Sequence, residues 1–123
     1  MIDHASVSVS NYEKSKELYE KMLAPLGYKV IMDLPDDKAA GYGEADRGEF
    51  WIGEVEKPAG VHIAFVAKDA SAVQAFYDAA LAGGALDNGA PGYRTEYAPG
   101  YYGAFVHDFD VNNVEAVWRD PSK

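Results

Sequence analysis

Three side chains in this sequence have the chemistry to hold one cation between them: His4, His62 and Glu115. No cysteine is present, so a transition-metal site could be built only from imidazole and carboxylate. A single histidine is more often structural or merely exposed than a ligand, and a glutamate on a strand is usually solvated. Their positions change that weighing. The histidines lie 58 positions apart (62 − 4), and the same offset carries Leu18 onto Phe76, Tyr19 onto Tyr77 and Leu23 onto Leu81. Agreement of pattern over about 25 residues marks an internal duplication, and the two histidines occupy equivalent places in it. Glu115 sits in the otherwise apolar run Val114–Trp118. An unpaired carboxylate there would be costly to bury, whereas coordination of a cation would stabilise it.

The elements that must position these residues are legible. Val7 and Val9 alternate with Ser6 and Ser8, the pattern of a half-buried strand. Asn11 can cap a helix that carries Tyr12, Leu18, Tyr19, Met22 and Leu23 on one stripe and ends at Pro25. In the second half, Asp69 or Ser71 can cap a helix bearing Val73, Phe76, Tyr77, Ala80 and Leu81. Short β-like runs cover 28–33, 39–43, 49–55, 100–107 and 113–118. Each half reads as strand, helix, then about three strands. The expected fold is therefore α+β, with two βαβββ modules at about 1–57 and 58–123 of a single domain. Alternation turns Ala5, Val7 and Val9 toward the helix and His4, Ser6 and Ser8 away from it. By the same rule His62 opposes Ile63 and Phe65, and Glu115 opposes Val114, Ala116 and Trp118. The three candidate ligands thus lie on three strands, each on the side away from the helices.

Other residues could bind beside such a cation. The segment 88–102 is punctuated by Gly89, Pro91, Gly92, Pro99 and Gly100, with Tyr93, Tyr97, Tyr101 and Tyr102 between. It reads as a loop, and over an open metal face it would be a lid with Tyr101 and Tyr102 against the ligand. Arg94 would offer a fork to a carboxylate or phosphonate. Trp51 would be a wall for an aromatic or aliphatic body. His107 could act as a general acid or base, although exposure at a strand end explains it as simply. The net charge of −9 argues against nucleic acid and against an anionic membrane surface. No apolar run approaches the roughly 18 residues of a membrane span. The N-terminal residues lack a basic and apolar leader, so a cytoplasmic location is expected.

The segments Asp3–Val7, Val61–Phe65, Asn88–Arg94, Tyr102–Val106 and Asn113–Val117 resemble the vicinal oxygen chelate superfamily. That superfamily comprises glyoxalases, bleomycin-resistance proteins, extradiol dioxygenases and fosfomycin-modifying enzymes. The resemblance implies modules curled into half-barrel sheets with helices on the outer face. It also implies a divalent metal, Fe(II), Mn(II), Zn(II) or Ni(II), chelated by a small substrate through two adjacent oxygens. His4, His62 and Glu115 match its ligand positions. Trp51 falls where glyoxalase I-like members carry a fourth, acidic ligand, unless a shift of two residues brings Glu49 there. The resemblance therefore favours a three-ligand site and disfavours glyoxalase I itself. A second departure is Asp108-Phe109-Asp110-Val111-Asn112, where a turn with proline and glycine is usual. Homodimers are implied, with modules paired within or between chains, and the partner otherwise expected is a small molecule. A protein that sequesters its ligand without chemistry, as bleomycin-resistance proteins do, is the alternative implied. A structural dimer with a vestigial ligand set is a third.

Overall fold

The valine–serine alternation at the N-terminus forms β1 (Ala5–Val9) in the computed structural model, which describes residues 1–123. Val7 and Val9 are buried and Ser6 is exposed, as a pleated strand with one covered face requires. Asn11 accepts from the Lys14 amide and starts α1 (Tyr12–Leu23), whose stripe of Tyr12, Leu18, Tyr19, Met22 and Leu23 is buried. Pro25 lies just beyond α1 in a short 3-10 turn that Gly27 closes at φ 89°. β2 (Lys29–Leu34), β3 (Ala39–Gly43) and β4 (Phe50–Glu54) complete a sheet of order β1-β4-β3-β2, in which only β1 and β4 run parallel.

The layout then repeats. β5 (His62–Val66), α2 (Ala70–Ala82), β6 (Leu86–Tyr93), β7 (Tyr101–His107) and β8 (Asn113–Arg119) build a second sheet of order β5-β8-β7-β6, with β5 and β8 parallel. Asp69, not Ser71, caps α2 by accepting from the Ala72 amide at 2.8 Å. The buried face of α2 is Ala72, Val73, Phe76 and Ala80; Leu81 falls at the edge of this stripe and reaches the surface. Two open four-stranded sheets and two helices make up the α+β, twice-βαβββ architecture expected from the sequence.

One expectation is corrected here. Asn88 to Tyr93 belong to β6 rather than to a loop, and only 94–100 link β6 to β7. Gly89, at φ 151°, and Gly92 sit where the β6–β7 register slips. Glycines inside a strand mark such bulges, so the punctuation that suggests a loop belongs to an irregular strand.

The modules join where α1 and its 3-10 turn pack on α2, through an aromatic contact and through a polar knot. Phe50 of β4 meets Phe65 of β5 edge to face at 5.0 Å, and Tyr28 meets Phe65 at 5.8 Å. The knot is the turn between β7 and β8. Asp108 accepts from the Tyr19 hydroxyl (2.6 Å), the Asp110 and Asn112 amides and the Asn112 side chain. Asn112 in turn donates to the Ser8 carbonyl and accepts from the Val61 amide, and Asp110 accepts from the Ser10 amide. Burial first, and then the Asp108 charge, push the Tyr19 phenol well above its usual range, so it remains a donor.

The turn forms without proline or glycine because the Asp108 carboxylate gathers its amides. The remaining misfit is Val111, held at φ 63°, a left-handed conformation that β-branched residues adopt only under strain. Exchanging Val111 for glycine is expected to stabilise the fold by about 1 kcal/mol, the relief of strain exceeding the added chain entropy. Urea unfolding of the two proteins checks the sign; a less stable V111G protein would mean that Val111 is relaxed.

Candidate metal centre

The register settles which residues are structural equivalents. Ser6 pairs with Trp51 and Ala64 pairs with Glu115, and 64 − 6 is again 58. Trp51 is therefore the counterpart of Glu115. Glu49 lies before β4 and accepts from the Tyr28 hydroxyl at 2.9 Å, so the alternative of a shifted strand does not apply. On the next strand Gly41 faces Trp51 where Phe105 faces Glu115. The indole lies over that glycine: a Cβ at Gly41 or Gly48 would come within 2.8 Å of it. Its Nε1 donates to the Gly48 carbonyl at 3.3 Å. The first module thus carries an indole on a glycine seat where the second carries a carboxylate beside a phenyl ring.

Glu115 is buried to 1 % exposure at the middle of β8. Its Oε1 lies 3.3 Å from His62 Nε2, and its Oε2 accepts from the Tyr101 hydroxyl. His62 Nδ1 lies 3.0 Å from the Asn113 carbonyl. A carbonyl can only accept, so Nδ1 carries a proton and Nε2 is the ring nitrogen turned to the carboxylate. Two acceptors face to face need a proton or a cation between them. Phe105 stacks on the His62 ring at 6.4 Å, and Arg94 lies over Phe105 at 5.5 Å.

His4 repeats the presentation of His62 on the other module. Its Nδ1 lies 2.8 Å from the Asp3 carboxylate, which leaves Nε2 free. This hydrogen bond, and next the Arg47 charge, hold Asp3 below the usual carboxylate range. His4 does not join His62 and Glu115: no group of three or more His, Cys, Asp or Glu side chains with the placement to hold a metal occurs in the chain. It lines instead a cleft of about 330 Å³ with Ser6, Ser8, Trp51 and Glu54. One chain therefore supplies two converging donors, whose chemistry suits a cation, and a third of the same kind elsewhere.

The residues expected around a ligand divide. Tyr101 shares the face of Glu115, and burial, followed by its hydrogen bond to that carboxylate, pushes its phenol up to about 12. Tyr102 is corrected: adjacent strand residues point oppositely, and it lies buried in the core, accepting from Gln74 at 2.9 Å. Arg94 sits near the His62 face, but its guanidinium donates to the Gly92 and Ala90 carbonyls at 2.9 and 2.7 Å. It clamps the β6 bulge, which reduces its capacity to grip an anion. His107 pairs with Asn113 at the strand end, on the face of Phe105 and Glu115. Sequence reading missed the Phe105–His62 stack and the Tyr101–Glu115 contact; the shared parity of positions 101, 105 and 107 was the available signal.

Two βαβββ modules of this topology make up the vicinal oxygen chelate fold. A glyoxalase/bleomycin resistance protein from Albidiferax ferrireducens superposes with a TM-score of 0.83 at 27% identity, covering 95% of this chain and 98% of that one. The genomically encoded fosfomycin resistance protein FosX from Listeria monocytogenes matches in fold at TM-score 0.72 and 16% identity, over 99% and 95% of the two chains. Lactoylglutathione lyase from Agrobacterium tumefaciens does so at 0.71 and 14%, over 96% and 92%. No protein-family model and no curated protein sequence matches the chain. No helix is long and apolar enough to cross a membrane.

Proposed function

We propose that this protein is a metal-dependent enzyme of the glyoxalase/dioxygenase type that works as a homodimer. A divalent metal is held by His62 and Glu115 of one subunit together with His4 of a second copy, and a small substrate chelates it through two adjacent oxygens. One observation carries this reading: both histidines, at equivalent places in the repeat, have Nδ1 engaged by an acceptor, which leaves Nε2 of His4 free and turns Nε2 of His62 to a buried carboxylate. The need for a second copy follows from the donors not converging within one chain. It is supported by β1 and β5, each the edge of its sheet, and by Val66, which is 84% exposed two residues along from Ala64 on the face of His62.

A divalent metal held by His62, Glu115 and His4 of the second copy would supply Lewis acidity or an electron path. The chain supplies the rest. Asn113 and Asp3 fix the two imidazole rings, and Tyr101 and Phe105 hold the carboxylate and His62 in place. Trp51, backed by glycines, walls the substrate on one side. With Arg94 engaged by backbone carbonyls, a neutral or weakly charged chelating substrate suits this site better than a phosphonate.

Mixed dimers test the shared site. His4→Ala protein and Glu115→Gln protein each bind metal at least about 100-fold more weakly alone; refolded together, their heterodimer keeps one intact site of two. Elemental analysis should find about half the wild-type metal content in it. Recovery of none would overturn the between-chain site, and a wild-type protein that takes up no divalent metal on anaerobic reconstitution would overturn the enzyme reading. In that event the separate donors and the cleft beside Trp51 favour a protein that binds a small ligand without chemistry. Ligand-induced thermal shifts in chelator-treated protein would then identify it.

A further inference from the structure

We infer that Tyr101 is a positioning residue that makes Glu115 a one-oxygen ligand, an inference that rests on the metal reading above. Both oxygens of this buried carboxylate are accounted for: Oε2 takes the Tyr101 hydroxyl, and only Oε1 is turned to His62. A carboxylate so held can reach a cation through one oxygen and cannot swing to chelate it with two, which keeps a position open for substrate.

The contact is built rather than incidental. Arg119 lies over the Tyr101 ring at 5.0 Å, and Tyr97 meets it edge to face at 5.2 Å. Gly103 clears the space between them, since a Cβ there would lie 3.2 Å from both Glu115 Oε2 and the Tyr101 ring. The first module lacks the device. Ala39 pairs with Gly53 where Gly103 pairs with Val117, so the place of Tyr101 falls on Asp37, outside β3. The phenol is therefore present only in the module that carries the carboxylate.

The test titrates Co(II) into the full-length wild-type and Tyr101→Phe proteins and records both affinity and the visible absorption of the bound ion. Loss of the hydroxyl is expected to weaken Co(II) about ten- to a hundredfold and to change the band pattern, as the carboxylate turns to offer two oxygens. Far-UV circular dichroism of the metal-free proteins should coincide. Gly103→Ala, which pushes against the same contact, should shift affinity and spectrum in the same direction and serves if the phenylalanine variant does not fold. Wild-type uptake with unchanged affinity and spectrum in both variants overturns the positioning role alone. No uptake by wild type overturns it together with the proposed function.

Discussion

Replacing Glu115 by glutamine is expected to lower divalent-metal affinity by at least about 100-fold, because loss of supporting contacts alone costs ten- to a hundredfold and here a donor itself is neutralised. The amide keeps the volume of the side chain, so no cavity confuses the result. The metal-free protein should respond quite differently. Glutamine keeps an oxygen for the Tyr101 hydroxyl and can turn its amide to the half-exposed His62 ring, so the change should move stability by less than about 1 kcal/mol. The informative outcome is this split, metal affinity falling while metal-free unfolding hardly moves. Calorimetric titration and urea unfolding on the same samples measure it. Metal affinity retained in the glutamine protein would remove Glu115 from the site.

Asp108→Ala should be the most damaging change outside the candidate site. Four donors converge on that carboxylate, from the Tyr19 hydroxyl, two backbone amides and the Asn112 side chain, and Asp108 and Asn112 are both buried. Truncation strands them, and the phenol of Tyr19 has no other partner. A loss of about 3–4 kcal/mol is expected, seen as a fall in Tm of about 10–15 °C at fixed protein concentration. Asp108→Asn keeps an oxygen for the two backbone amides and should recover about half of this. Because the knot ties the start of β8 to Ser8 and Val61, metal affinity should fall with stability in the alanine protein. A loss below about 1 kcal/mol would show that the apolar contacts between modules suffice without the knot.

How much of this was legible beforehand follows from the range of the forces involved. Alternation in β1, the Asn11 cap and the apolar stripes of the helices are set by neighbours within four residues, so the sequence alone determined both helices and most of the strands, while the choice of Asp69 over Ser71 as the second cap needed the structure. The duplication then determined that His4 and His62 are equivalent, and alternation that both, with Glu115, face away from the helices. Tyr101 and Tyr102 could not be told apart before the register of β7 was known, since alternation says that they point oppositely but not which way. The bulged β6 passed for a loop because glycine is shared by both conformations and pairing with β7 decides between them. The place of Trp51 opposite Ser6, the withdrawal of Arg94 to the Ala90 and Gly92 carbonyls and the hydroxyl of Tyr101 on Glu115 all depend on contacts between strands. The separation of His4 from the other two donors was likewise decided only in three dimensions. Equivalent positions in a repeat fix each residue within its own module, whereas the packing of Phe50 on Phe65 and the Asp108 knot set one module against the other.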